Sequence, residues 1–232
     1  MKDKITVIIP AHNEVKTLPR VIQGIHRVLE GEYLYRILVV DDGSTDNTGK
    51  VALENGAEVA RHSVAMGSGG ALKTGYLMAR ECESDYILQL DADGQHDPRD
   101  FGHLFDQLKS SGADMVVGSR FLNGAPKISF TRKIGIVFFS WLVNRLTGYG
   151  VTDITSGFRV FRKEALDKLM FTAEKHWSIE MTMLAGVNGL KIVEGPMKMI
   201  DRKEGSSQFQ EIITFMLYPV RAIKQILTVY MR

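Results

Sequence analysis

The sequence has little of what would settle its class from composition alone. It holds one cysteine, Cys82, so no intramolecular disulfide can form, and the chain reads as suited to a reducing compartment. Charge of one sign is missing: 29 Lys and Arg against 27 Asp and Glu leave a formal charge of +2, which is not a nucleic-acid-binding composition. Long apolar runs are missing too. The longest near-continuous one, Ile134 to Val143, is too short to span a bilayer. No signal peptide precedes the first strand-like segment, and no repeat, low-complexity linker or second-domain boundary breaks the chain. Residues 1–232 therefore read as one domain of a cytoplasmic protein that can touch a membrane without crossing it. At 232 residues and 44% hydrophobic content, a large core can form without disulfides or structural metals.

What is present is an alternation. Ile5 to Ile9 reads as a buried strand ending at Pro10, and Val15, Leu18, Ile22, Ile25 and Leu29 follow helical spacing. Ile37 to Val40 is a second buried strand, after which Thr45 or Asp46 can cap a helix. Glu58 to Arg61 is a third strand, and Gly67 to Gly70 reads as a loop leading to a helix through Ala71 and Ala79. Tyr86 to Leu90 and Met115 to Val117 are further strands, separated by a helix face of Phe101, Leu104, Phe105 and Leu108. This alternation predicts an α/β fold with a mostly parallel central sheet flanked on both faces by helices. The second half is less regular. It offers a helix from Arg132 to Leu146, strands in Gly157 to Arg162 and Lys191 to Ile200, and a helical segment from Phe209 with a break near Pro219.

Polar residues cluster where strands end, which is where open α/β sheets bind ligands. Glu14, Asp42, Asp91, Asp93 and Arg120 all fall there and could meet on one rim. In Asp91-Ala92-Asp93-Gly94-Gln95-His96, two carboxylates at i and i+2 can point to one side. Their hard oxygens suit Mg²⁺ or Mn²⁺ beside substrate phosphates, although an acidic turn or helix cap accounts for the same residues. Asp41-Asp42-Gly43-Ser44 offers a carboxylate to a nucleotide base or ribose, or forms a simple turn. Glu14 has the same two readings, whereas His12 reads as a satisfied loop histidine. Gly67 to Lys73 lacks P-loop spacing; it can bring backbone N–H groups and Lys73 near a nucleotide, or merely begin a helix.

Taken together, these segments carry a resemblance. Ile8-Ile9-Pro10-x-x-Asn13-Glu14, Val39-Val40-Asp41-Asp42-Gly43-Ser44-x-Asp46, Gly67-x-Gly69-x-Ala71, Asp91 to His96 and Gly118-Ser119-Arg120, in that order, resemble glycosyltransferase family 2. Asp153-x-x-Ser156-Gly157-Phe158-Arg159 and Arg202-x-x-Gly205-x-Ser207 look like its polyprenyl-phosphate branch, which includes dolichol-phosphate mannose synthases. The resemblance covers nearly the whole chain. It implies a GT-A (Rossmann-like) fold, a nucleotide-diphosphate sugar donor, a divalent metal (Mg²⁺ or Mn²⁺) and inversion at the anomeric carbon. The implied reaction passes mannose or glucose to a dolichyl or undecaprenyl phosphate, with residues 1–120 as the donor half and 121–232 as the acceptor and membrane half. By position, Pro10, Glu14, Val40, Asp42, Lys73 and the run Asp91, Ala92, Asp93 fall to the nucleotide sugar. Asp91, Asp93 and Gln95 fall to the metal and diphosphate, and Arg120, Arg132 and Arg202 to donor or acceptor phosphates. Asp153 is expected to orient the acceptor or to act as a base. His12 departs from the aromatic residue that the mannose synthases often carry there.

From Met115 to Thr152 there is no acidic residue, while Arg120, Lys127, Arg132, Lys133 and Arg145 are all basic. Within this stretch lie Ile134, Ile136, Val137, Phe138, Phe139, Trp141, Leu142, Val143 and Leu146. A basic, aromatic-rich helix suits an anionic membrane interface, and a core helix with basic ends has the same composition. The C-terminal segment repeats the theme with Phe215, Met216, Leu217, Tyr218 and Val220, followed by Arg221 and Lys224. Both segments are expected to be amphipathic interface helices.

Overall fold

A computed structural model of the chain describes residues 2–123, 130–172 and 176–200, with positions 223, 226, 228 and 229 near the C-terminus; at 130–132 it describes the backbone alone. The expected roles of Arg202, Gly205 and Ser207, the side chain of Arg132, and the C-terminal helix around Pro219 lie outside the described residues.

The chain runs β1 (Lys4–Ala11), α1 (Leu18–Leu29), β2 (Leu34–Asp41), α2 (Thr48–Glu54), β3 (Glu58–Arg61), α3 (Gly67–Glu81) and β4 (Tyr86–Gln89). It continues through α4 (Phe101–Ser111), β5 (Met115–Ser119), α5 (Phe130–Thr147), β6 (Arg159–Arg162), α6 (Trp177–Val187) and β7 (Ile192–Pro196). The strands form one sheet in the order β3-β2-β1-β4-β6-β5-β7. All pairings are parallel except those of β6, which runs antiparallel to both β4 and β5.

The strands alternate sides, so each supplies two cores. Ile5, Val7 and Ile9 of β1 and Val116 of β5 pack with Leu18, Ile22 and Ile25 of α1 and Phe101, Leu104 and Phe105 of α4. Ile8, Met115, Val117 and Phe161 pack on the other face with Leu72 and Tyr76 of α3, Phe139 and Val143 of α5, and Ile179 and Met183 of α6. Each fully buried Leu, Ile, Val or Phe contributes about 1.5–3 kcal/mol, so these layers rather than local propensity hold the helices in place.

Several boundaries differ from the sequence reading. β1 runs through Pro10 to Ala11 instead of ending at Pro10. Ile8 C=O accepts from Leu90 N–H on the β4 side, so Pro10, two residues on, faces the same side past the last β1–β4 partner, and its missing N–H costs no ladder bond. α1 begins at Leu18, with Pro19 in its first turn, and Val15 precedes it. α2 is entered through Asn47, not Thr45 or Asp46, although an Asp46 oxygen still accepts the Thr48 N–H at 2.9 Å. Gly67 to Gly70 is not a loop but the first turn of α3. Three elements went unforeseen: α6 and 3₁₀ turns at Pro98–Asp100 and Lys163–Lys168.

Candidate active site at the sheet rim

β2 and β3 lie to one side of β1, and β4 lies on the other, so the strand order reverses between β1 and β4. In open α/β sheets such a reversal of strand order marks the C-terminal edge where ligands bind. Because β6 is antiparallel, its start lies at this same edge: Arg159 pairs with Gln89, the last residue of β4. The turn from Asp153 to Phe158 is thereby brought between the ends of β4 and β5.

On the β1–β2 side, the loops are stitched to each other. His12 donates through Nδ1 to the Asp42 carbonyl at 2.7 Å, as a satisfied loop histidine should. Asn13, at φ 56°, accepts from Thr45 N–H at 2.8 Å through Oδ1 and donates its own N–H to Ser44 Oγ at 3.0 Å. Asp41 Oδ1 closes a turn on Ser44 N–H at 3.0 Å. The buried carboxylate of Asp42 takes the Met66 and Gly67 N–H groups at 2.8 and 2.7 Å, capping α3, and a His62 Nδ1–H at 2.7 Å. His62 Nε2 in turn accepts from Thr74 Oγ1 at 2.9 Å. Cap chemistry is thus what Asp42 performs in this structure, and three of its roughly four acceptor positions are filled. Glu14 Oε2 accepts from Thr17 Oγ1 at 2.5 Å, and its N–H donates to Thr48 Oγ1 at 2.8 Å. Pro10, Val40 and Ala92 are buried. Lys73 is exposed on α3.

On the β4 side, Asp91 sits recessed over Gly157. A Cβ on Gly157 would lie 2.6 Å from Asp91 Oδ2 and 2.9 Å from Oδ1, so only glycine leaves room for this carboxylate. Burial pushes the Asp91 carboxyl above the usual carboxylate range; His96, Arg120 and Arg159 oppose the shift and the like charge of Asp93 adds to it. Asp93 Oδ1 accepts the Gln95 N–H at 3.0 Å. His96 folds back on the loop: its Nδ1 accepts the Asp91 N–H at 3.1 Å, its ring stacks on Phe158 at 5.5 Å, and its Nε2 lies 3.7 Å from Asp91 Oδ2. Two neighbouring carboxylates, one of them raised by burial and a like charge, make a place where a hard divalent cation would relieve both costs. Asp91 and Asp93 thus offer the hard oxygens that such a cation takes, while among the described residues no group of three or more His, Cys, Asp or Glu is gathered to hold one.

On the β5 side, Arg120 and Asp153 form a buried two-pronged pair. Nε and one Nη each reach an Asp153 oxygen at 2.6 Å, and Thr155 Oγ1 takes a further N–H at 2.6 Å. Burial alone would raise Asp153, but the hydrogen bonds and charge of Arg120 outweigh it and hold the carboxyl below its ordinary range. Glu194 of β7 supports the turn, accepting Asp153 N–H at 2.7 Å and Thr152 Oγ1–H at 2.9 Å. The Asp153 oxygens accept from Arg120 and from Thr155 Oγ1, and its basicity is lowered.

Arg159 is fully buried. It donates to the carbonyls of Ser156, Ile154 and Ser178 at 3.1, 2.9 and 3.1 Å, and its guanidinium lies 5.3 Å from the Trp177 ring centroid. Burial lowers it to about 10, so it stays charged at neutral pH. It ties the 153–157 turn to α6. His96 and Arg159 belonged to motifs visible in the sequence but carried no assigned role; His62 and Glu194 gave no sequence signal at all.

The mostly parallel sheet flanked on both faces by helices is the α/β arrangement expected of a GT-A fold. The chain belongs to glycosyl transferase family 2, which matches residues 6–170. It is 32% identical to a polyprenol monophosphomannose synthase of Mycolicibacterium smegmatis, over 87% of this chain and 79% of that one. It is 35% identical to a UDP-N-acetylglucosamine–dolichyl-phosphate N-acetylglucosaminyltransferase of Methanococcus voltae, over 86% and 87%. In fold it is similar to glucosyl-3-phosphoglycerate synthase from Mycobacterium tuberculosis, at TM-score 0.75 and 21% identity, covering 98% of this chain and 79% of that one.

Proposed function

We propose that this glycosyltransferase passes a hexose, mannose or glucose, from a nucleotide-diphosphate sugar to a polyprenyl phosphate, dolichyl or undecaprenyl, with inversion, while lying peripherally on a membrane. The observation that carries this reading is the Arg120–Asp153 pair. An alcohol acceptor must lose a proton as it attacks, which calls for a base of suitable pKa within reach. Asp153 is the carboxylate best placed in sequence for that task, yet it is buried, gripped by Arg120 and depressed in pKa. A phosphate oxygen is already anionic and asks for no base. What it asks for is a held cation, which a guanidinium supplies through several directed N–H groups. The names of the relatives from Mycolicibacterium smegmatis and Methanococcus voltae, both acting on polyprenyl phosphates, agree with this acceptor class.

Asp91, Asp93 and Gln95 would hold the divalent metal, which when bound neutralises charge developing on the departing diphosphate. The mycobacterial structural neighbour was solved with Mn²⁺ and UDP-glucose. This chain's residues hold the two substrates at a fixed separation: the donor loops are locked to one another through His12, Asn13 and Asp42, and Arg120 is locked by Asp153. Catalysis then rests on positioning and charge neutralisation.

α5 supports the membrane contact. Ile136, Phe139 and Val143 face the core, whereas Phe138 and Trp141 are 46% and 60% exposed, with Ile134, Val137 and Lys133 lining the same shallow groove of about 420 Å³. Aromatic side chains next to lysine on an outward face suit an anionic lipid interface. Among the described residues, no helix is long and apolar enough to cross a membrane.

The test is a donor panel of GDP-mannose, UDP-glucose and UDP-N-acetylglucosamine against dolichyl and undecaprenyl phosphates, with Mn²⁺, Mg²⁺ or EDTA, read by mass spectrometry of the lipid. A metal-dependent gain of one sugar on the lipid phosphate is expected. Transfer to a soluble glycan or to 3-phosphoglycerate, with none to any polyprenyl phosphate, would refute the acceptor assignment.

A further inference from the structure

His96 stands five residues past Asp91, yet the loop returns it to the residue from which it departed. Asp91 N–H donates to His96 Nδ1 at 3.1 Å, so that nitrogen carries no proton. In the neutral ring the proton is then on Nε2, and Nε2 lies 3.7 Å from Asp91 Oδ2. One ring thus holds the backbone of Asp91 and faces its carboxylate with an N–H. The ring cannot turn away, because it is buried and stacked on Phe158 at an interplanar angle of 26°. The opposite wall is Gly157, whose missing side chain leaves the carboxylate 2.6 Å from where a Cβ would stand. Gly157 is in turn pinned, its carbonyl accepting Gln89 Nε2–H at 2.9 Å. Asp91 is left with 40% of its side chain exposed.

We infer that His96 is a positioning residue for Asp91, orienting the carboxylate through the Nδ1 bond to the Asp91 backbone so that it meets a divalent cation in one conformation. The inference rests on the metal assignment made above. Outer partners that fix a ligating carboxylate typically alter metal affinity by about 10–100-fold. The role is carried by the nitrogen at the δ position, which gives it a chemical signature. Asparagine places an acceptor oxygen near that position; phenylalanine keeps the stack on Phe158 and has no acceptor.

The test measures Mn²⁺ binding to the full chain by the loss of the free-ion paramagnetic resonance signal, with UDP or GDP present, for the wild type, His96→Phe and His96→Asn. Thermal melts and metal-free nucleotide binding are recorded beside it. His96→Phe is expected to weaken Mn²⁺ binding by roughly 10–100-fold with metal-free nucleotide binding unmoved, and His96→Asn to recover most of that loss. Equal Mn²⁺ affinity in all three proteins would overturn the role and reduce His96 to packing against Phe158. So would a His96→Asn variant as weak as His96→Phe, since the δ acceptor would then not be what matters. If the wild type itself binds no Mn²⁺ under any of these conditions, the metal assignment at Asp91 and Asp93 falls, and this inference with it.

Discussion

Replacing Asp153 separates two accounts of its role. Asp153 is fully buried and Arg120 is 8% exposed, joined by two contacts of 2.6 Å. In Asp153→Ala the guanidinium stays buried without its counter-charge, and removing one partner of such a pair costs about 3–5 kcal/mol. For a chain of this size each kcal/mol lowers the melting temperature by about 2–4 °C, so a fall of roughly 6–20 °C is expected. Asp153→Asn keeps one acceptor oxygen but turns an amide N–H toward Arg120, and should destabilise less. In both, the acceptor KM should rise, because Arg120 is no longer held. The pH dependence has a definite sign. The folded carboxyl is held below its ordinary range, so the pair's stabilisation is fully present above the unfolded pKa near 3.9 and is lost as pH falls through the lower folded value. Wild type and Asp153→Ala should therefore converge in stability in strong acid and diverge toward neutrality. Substituting both partners, Arg120→Met with Asp153→Leu, should recover most of the stability while transfer stays low. The assays are thermal melts across pH and initial rates over acceptor concentration. A catalytic base would behave otherwise: Asp153→Asn would melt with the wild type while kcat fell by about 10²–10⁴-fold, and that result would refute the reasoning.

Two other substitutions test the remaining sides of the site. Gly157→Ala adds a methyl group 2.6 Å from Asp91 Oδ2 at a backbone conformation that alanine can adopt, so the carboxylate must move. Transfer should fall by about 100-fold with little change in melting temperature; wild-type kcat would show that the close approach is unimportant. Phe138→Ser with Trp141→Ser removes apolar surface that is already exposed. The double variant should keep its stability and its activity on detergent-dispersed lipid, but fail to float with anionic vesicles; flotation equal to wild type would exclude α5 as the membrane face.

The parallel half of the fold was legible because its strands are short apolar runs ending in turn residues, and the helices between them show one buried face. α6 was not legible for a physical reason. Residues Trp177 to Met183 are all buried, so polar Ser178, Glu180 and Thr182 face inward as fully as their apolar neighbours and no helical period appears. Ser178 and Thr182 serve Arg159 there, a use that composition cannot announce. The first turn of α3 was hidden by glycine, a poor helix former. Asp42 caps that turn from a distant strand, and Gly75 is needed further along, since a Cβ there would meet Ile8 at 2.5 Å. Of the site, the acids and Arg120 were legible as residues after strands. Asp153 was legible as well, but its grip on Arg120 across 33 positions was not, and His62, His96 and Glu194 reach Asp42, Asp91 and Asp153 across 20, 5 and 41 positions.

The antiparallel strand β6 explains why one short turn serves both sides of the site. Had β6 run parallel to its neighbours, its first residues would lie at the opposite edge of the sheet, and residues 153–158 could not reach the rim. Entering from the rim, the turn places Asp153 on Arg120 and, four residues later, Gly157 against Asp91. Arg159 then fixes the same turn by donating to its Ile154 and Ser156 carbonyls and to Ser178 of α6. On the proposed reading, the cation that meets the acceptor phosphate and the carboxylate that meets the metal are set from one rigid piece of backbone. A reaction that joins two anionic substrates depends on such a separation being held, because at low dielectric a small change in spacing alters repulsion and attraction together. The Asp153-x-x-Ser156-Gly157-Phe158-Arg159 segment is thus a spacer whose Asp153 and Gly157 meet groups of opposite charge while Arg159 fixes the backbone between them, which accounts for why its aspartate, glycine and arginine occur together in so short a run.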